Sequence, residues 1–187
     1  MTDNLLVRRY AKALFDFAKQ NGSEDRVLDD LRLIDETRNE NREFRAVMMG
    51  SVISSEQKAN IIRKLFGQHI CAQTMQFAEM LISKRRESVM DGILEQYVSI
   101  YNEEKNINVV TITSVVPLDQ KTQDNIVALF RAKTEITGEI QVKNEIDKSL
   151  IGGVVVNYLD YRYDASIRSV IAKMRKTFEE NLYVKGF

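Results

Sequence analysis

The stretch QYVSIYNEEKNINVVTITSVVP, Gln96 to Pro117, is where the chain changes its period. Tyr97 and Tyr101 continue a helical face begun by Val89, Ile93 and Leu94. The polar run Asn102 to Asn106 then interrupts. From Ile107 to Val116 the chain is dense in Val, Ile and Thr, the residues that fit a pleated surface, and Pro117, the only proline, closes the run. Helical spacing dominates before this point and mixed spacing after it.

Working back toward the start, five more helices precede the one that begins at Glu87. The first covers about Asn4 to Gln20 and stops at Asn21-Gly22, a C-terminal signal. Ser23 is placed to cap the second, with Glu24 and Asp25 in its first turn and Val27, Leu28, Leu31 and Ile34 on one face. A short third runs from Arg42 to Met49. Ser54 and Gln57 form a capping box for the fourth, which buries Ile61, Ile62 and Leu65 and ends near Gly67. The fifth spans Ile70 to Lys84. Working forward, Asp119 is placed to cap a helix carrying Ile126, Val127, Leu129 and Phe130. Strands are expected around Ile140 to Ile146 and from Leu150 to Tyr158, and a last helix from near Asp164 bears Ile167, Val170, Ile171, Met174 and Phe178. The fold class is therefore α+β, mostly α: a six-helix bundle over residues 1–105 followed by a small α+β unit over residues 106–187.

Charge narrows the function. Lys plus Arg and Asp plus Glu number 27 each; up to residue 105 there are 16 basic and 17 acidic side chains, and beyond it 11 and 10. Neither part has the basic excess that phosphate-backbone binding demands, so nucleic acid is not an expected partner. One cysteine, Cys71, rules out an internal disulfide. The opening residues carry neither a signal-peptide nor a transit-peptide pattern, and no apolar run approaches the ~20 residues of a membrane helix. Membrane association is expected only through partners.

The first and fifth helices carry more apolar surface than one buried face needs. At steps of about 100°, Leu6, Tyr10, Ala13 and Phe17 form one stripe of the first helix, and Val7, Ala11, Leu14 and Ala18 form another. With Phe15 the apolar arc reaches roughly 200°, against about 100° for an ordinary surface helix. On the fifth, Phe77, Met80 and Leu81 make one stripe and Met75, Ala78 and Ile82 a second. Two arrangements satisfy this. Both helices lie in the centre of the bundle, or each gives one stripe to the core and one to an amphipathic partner helix seated between them.

Little in the chain supports catalysis, and no catalytic residue is assigned. His69 and Cys71 alternate like a metal pair, but a zinc site needs four ligands and no second Cys or His exists. No metal and no cofactor is expected. A single histidine removes most acid–base and nucleophilic schemes, and no GxxxxGK[ST] loop occurs. Gly152-Gly153 marks a bulge or close backbone approach. Asp160 and Asp164 read as turn and cap residues. Lys84-Arg85-Arg86 complements the C-terminal dipole of the fifth helix, or meets an acidic partner. Two function classes stay open at this point: a helical adaptor within an assembly, and a small carboxylate-based enzyme, which would require a deep pocket with convergent acids.

Two segments resemble one family. RRYAKALFDFAKQNG, Arg8 to Gly22, is similar to the first helix of the delta subunits of F-type ATP synthase, the oligomycin-sensitivity-conferring proteins of mitochondria. SLIGGVVVNYLDYRYDASIRSVI, Ser149 to Ile171, resembles that family's C-terminal signature, here Gly152, Gly153, Asp160, Asp164 and Ser166. Leu159 stands where the family usually has glycine, and Ser83 to Arg86 lacks the Asn-Gly or Lys-Gly step of many members. The resemblance implies a non-catalytic stator subunit. Its N-terminal bundle binds the N-terminal helix of alpha subunits in a groove between the first and fifth helices, and its C-terminal unit binds subunit b of the peripheral stalk. It also implies a location on the cytoplasmic face of the bacterial inner membrane, as part of the synthase. By motif match Tyr10, Ala13 and Met80 line the groove; Leu6, Phe17 and Phe77 join them on stripe geometry.

Overall fold

The first helix ends where Gly22 takes a left-handed φ of 62°, its N–H bonding the Lys19 carbonyl and that of Ser23 the Ala18 carbonyl. In the computed structural model, which describes residues 2–50, 52–134 and 136–181, this helix is α1 (Thr2–Gln20). It is followed by α2 (Glu24–Glu40), α3 (Arg42–Met49), α4 (Ser55–Phe66), α5 (Ala72–Ser83) and α6 (Met90–Lys105). The capping box of α4 forms as read, Ser54 accepting from the Gln57 N–H and Gln57 from the Ser54 N–H. Asn41 caps α3 by accepting from the Phe44 N–H at 2.9 Å. Ser23 and Asp119 sit at N-cap positions, but neither side chain caps; the Ser23 hydroxyl instead donates to the Ala18 carbonyl. A 3₁₀ turn, Glu87–Val89, leads into α6, and Asn106 ends it at a left-handed φ of 54°.

The chain divides into two compact units, Met1–Glu104 and Lys105–Phe187. The first contains two apolar clusters. One joins Val7, Leu14, Phe15, Leu28, Leu31, Phe77, Leu81, Ile93 and Tyr97. The other joins Ile34, Phe44, Met48, Ile62, Phe66, Ala78 and Ile82. α5 contributes to both, so its two stripes are the partition between them.

The second unit is a four-stranded sheet in the order β2-β1-β3-β4, with β1 Ile107–Ser114, β2 Glu139–Ile146, β3 Gly153–Tyr158 and β4 Tyr161–Ser166. β1 and β2 are parallel, as the crossover through α7 (Gln120–Lys133) requires; β1–β3 and β3–β4 are antiparallel. α7 lays Phe130 on Val110, Ile112 and Val156, a small core. α8 (Ile167–Asn181) follows β4 without an intervening loop.

Two expectations shift here. The third strand begins at Gly153, because Lys148–Leu150 form a 3₁₀ turn. The last helix begins at Ile167, because Tyr161–Ser166 pair with β3 as a strand the periodicity did not show. β4 is an edge strand with most side chains exposed, so it carries no apolar alternation to read.

Candidate partner-binding surfaces

α1 resolves its surplus by turning one stripe in and one out. Val7, Ala11, Leu14 and Ala18 are buried, with Phe15 beside them. Leu6 and Tyr10 are half-buried, Ala13 is exposed and Phe17 is 41% exposed. α5 resolves it differently. Phe77, Leu81, Ala78 and Ile82 are all buried, and only Met80, half-buried, continues the outward stripe beside Gln73 and Gln76. The expectation that α5 offers a whole second stripe thus contracts to one methionine, since α5 needs both stripes to separate two clusters.

The two helices pack on one another at this face. Tyr10 meets Phe77 edge to face with centroids 6.4 Å apart, and Leu6, Tyr10 and Met80 all pack on the first cluster. Phe77, 9% exposed, is the floor rather than a wall. Arg86, read from the sequence only as part of the basic run at the end of the fifth helix, donates from Nη1 to the Tyr10 hydroxyl at 3.0 Å and holds its guanidinium 5.7 Å from the ring centroid.

The C-terminal signature is a launching device for α8. Gly153 sits at φ 78°, and a Cβ there would strike the Ala165 carbonyl oxygen. The Gly152 carbonyl accepts from the Ile167 N–H at 2.9 Å, and the Ile167 side chain lies against the bare Gly152 Cα. Asp164 accepts from the Ser166 N–H at 2.9 Å, and the Ser166 hydroxyl accepts from the Ser169 N–H at 3.2 Å, capping α8. Ser166, through its hydroxyl and then its N–H, holds the Asp164 carboxyl below the usual aspartate range. Four of the five signature residues converge. Asp160 does not: it lies in the exposed turn between β3 and β4, beside Leu159 at a left-handed φ of 47°.

What the device launches is an apolar face that the described residues leave exposed. Ile167, Val170, Ile171, Met174 and Phe178 are 44–72% exposed. They recur at i, i+3, i+4, i+7 and i+11, one stripe of α8. Alongside α7, an apolar cleft of about 390 Å³ opens between Ile126, Leu129 and Phe130 on the helix and Val154, Val156, Tyr161, Tyr163 and Ala165 on the sheet. Helix α7 covers β1 and β3 and leaves β4 bare on this face. The helix periodicity showed the α8 stripe; its lack of cover required the neighbours.

The polar residues weighed for chemistry serve the scaffold. Asp30, 2% exposed, accepts from the Cys71 N–H at 2.7 Å and the Thr74 hydroxyl at 3.0 Å and pairs with Arg26, so it anchors the start of α5 from α2. Cys71 directs its thiol to Thr74. The His69 carbonyl accepts from Arg26. Among the described residues no three of His, Cys, Asp and Glu gather in a metal-binding group. No described helix is long and apolar enough to cross a membrane.

One unit thus carries a partly exposed apolar stripe on α1 with Met80 of α5 beside it, and the other an amphipathic helix with an exposed apolar face. The profile of the ATP synthase delta (OSCP) subunit family matches residues 6–178. A Salinibacter ruber protein named ATP synthase subunit delta is 33% identical over 180 residues, covering 96% of this chain and 94% of its own. One of the same name from Phocaeicola vulgatus is 30% identical over 91% of each. A chain of the Toxoplasma gondii mitochondrial ATP synthase hexamer superposes with a TM-score of 0.69 over 92% of this chain and 97% of that one; at 21% identity it speaks for the fold. The chain belongs to the ATP synthase delta (OSCP) subunit family. It is a non-catalytic stator subunit of the F-type ATP synthase and associates with other subunits of that complex.

Proposed function

We propose that the two units hold different partners, residues 1–105 the catalytic head and residues 106–187 the peripheral stalk. The N-terminal helix of an alpha subunit lies in the α1–α5 trough, its apolar face on Leu6, Tyr10, Ala13, Phe17 and Met80 over the Phe77 floor. The observation that supports this is the outward stripe of α1: Ala13 and Phe17 are exposed and Leu6 and Tyr10 only half-buried, while the adjacent stripe is sealed. Subunit b takes the C-terminal unit, and the uncovered stripe of α8 with the cleft beside α7 is the surface of the right chemistry for an amphipathic stalk helix.

The task is mechanical. Rotation of the central shaft drives synthesis only if the head stays still, so the link must survive torque through many cycles and slow dissociation matters most. Two sites on one chain raise the effective concentration of each partner for the other. The site is the cytoplasmic face of a bacterial inner membrane, reached through the complex; the bacterial relatives favour this reading.

Ala13→Asp places a carboxylate in the trough at an exposed position, where folding tolerates it. Calorimetry with a synthetic alpha-subunit N-terminal peptide is expected to show binding lost with the melting temperature unchanged. Unaltered affinity would remove the trough from the mechanism. Ile171→Asp is expected to keep peptide binding and lose subunit b in a pull-down from solubilised membranes; retained b would move the stalk site off α8.

A further inference from the structure

One end of the trough is charged. α5 stops in a left-handed turn in which the Arg85 N–H bonds the Ile82 carbonyl and the Arg86 N–H bonds the Leu81 carbonyl, both at 2.9 Å. The left-handed position is usually glycine, since a side chain there costs roughly 1 kcal/mol. Here it is Arg85, at φ 53°. A strained position occupied by a long cation favours a use for the cation. Lys84, Arg85 and Arg86 are all exposed, and Arg86 lies on Tyr10, which joins the corner to the trough. Arg9 borders the same end of α1. The nearest carboxylate in sequence, Glu87, is already committed: it pairs with Lys58 at 2.9 Å, the two side chains 10% and 7% exposed. Segments 4–12 and 83–86 contain no Asp or Glu. Apolar contact alone therefore does not describe what this trough accepts.

We propose that the trough selects its helix by charge: the occupant carries a carboxylate-bearing turn at the end lying over the α5 corner, met by Lys84 and Arg85. This rests on the trough reading above and adds polarity to it. The acidic turn fixes which way along the trough the helix lies, because the far end, near Phe17, has Asp16 exposed on α1. Arg86 is a positioning residue, bonded to the Tyr10 hydroxyl while Tyr10 stands edge-on to Phe77, whereas the exposed Lys84 and Arg85 side chains extend from the end of α5.

The test compares two synthetic peptides: the alpha-subunit N-terminal helix, and a copy with every Asp and Glu replaced by Asn and Gln. The full-length chain is expected to bind the acidic peptide roughly fivefold more tightly at low salt, the preference vanishing near 0.5 M salt as exposed pairs are screened. Lys84→Gln with Arg85→Gln is expected to erase the preference without weakening the neutral copy. Arg85→Gly separates function from fold: it is expected to raise the melting temperature by a few degrees while lowering affinity for the acidic peptide alone. Equal binding of both peptides by the unaltered chain, or equal weakening of both by the double substitution, overturns the proposal and leaves the trough standing. Failure of both peptides to bind removes trough and proposal together.

Discussion

α1 and α8 are both amphipathic helices of similar length, and they use apolar surface in opposite ways. α1 has two stripes, sealing one and leaving the other partly exposed, so its proposed docking surface overlaps the core only at Leu6 and Tyr10. α8 has one stripe, which the described residues leave largely exposed, and its start is held by the Gly152, Gly153, Asp164 and Ser166 device. The comparison teaches that a docking surface can be added to a folded element or can be the whole purpose of an element. The first kind is preorganised by the core beneath it. The second depends on one rigid joint and on its partner for burial.

The sharpest way to break this comparison is within α1. Leu14→Ala empties a position 1% exposed and is expected to cost about 2–5 kcal/mol in denaturant unfolding of the helical unit, whereas Phe17→Ala is expected to cost under about 0.5 kcal/mol. Equal costs would mean that the two stripes share one job. Next is the joint. Gly153→Ala puts a methyl group on the Ala165 carbonyl at a positive φ and is expected to cost about 2 kcal/mol or more, with faster amide exchange across β3, β4 and the start of α8. Exchange confined to β3 would show that the joint does not hold the helix.

A smaller effect of opposite sign is expected in the hairpin turn. Leu159, 82% exposed at φ 47°, contributes strain and no packing, so Leu159→Gly is expected to stabilise the second unit by about 0.5–1 kcal/mol in thermal unfolding. The smallest effect is pH dependence. Asp164 is held below its ordinary pKa near 4, so the folded unit favours its carboxylate. Its contribution is complete above that value and fades as pH falls through the lower folded one. Asp164→Asn is expected to flatten the acid dependence of exchange at the start of α8, modestly, since water reaches the carboxyl. An unchanged profile would exclude Asp164 from the joint's acid response.

Much of this was legible in the residues. The switch at Asn102 to Asn106, the α4 capping box and the end of α1 at Gly22 are local devices, each complete within a few residues. The apolar surplus on α1 was legible too. Which stripe faces inward was not, because periodicity says only which side chains share a face. β4 escaped because an edge strand lacks the alternation that burial imposes. The signature residues were visible, but that four of them form one joint and Asp160 stands apart depends on the β3–β4 pairing.

The sequence alone determined the two-part plan, the elements with strong period or caps, and the excess of apolar surface on α1. Only the tertiary structure decided that α5 spends both of its stripes between two clusters, that α1 keeps one free, and that α8 stands uncovered. The reason is physical. Period and capping are properties of neighbours along the chain, whereas burial belongs to a residue together with side chains that reach it from distant parts of the chain.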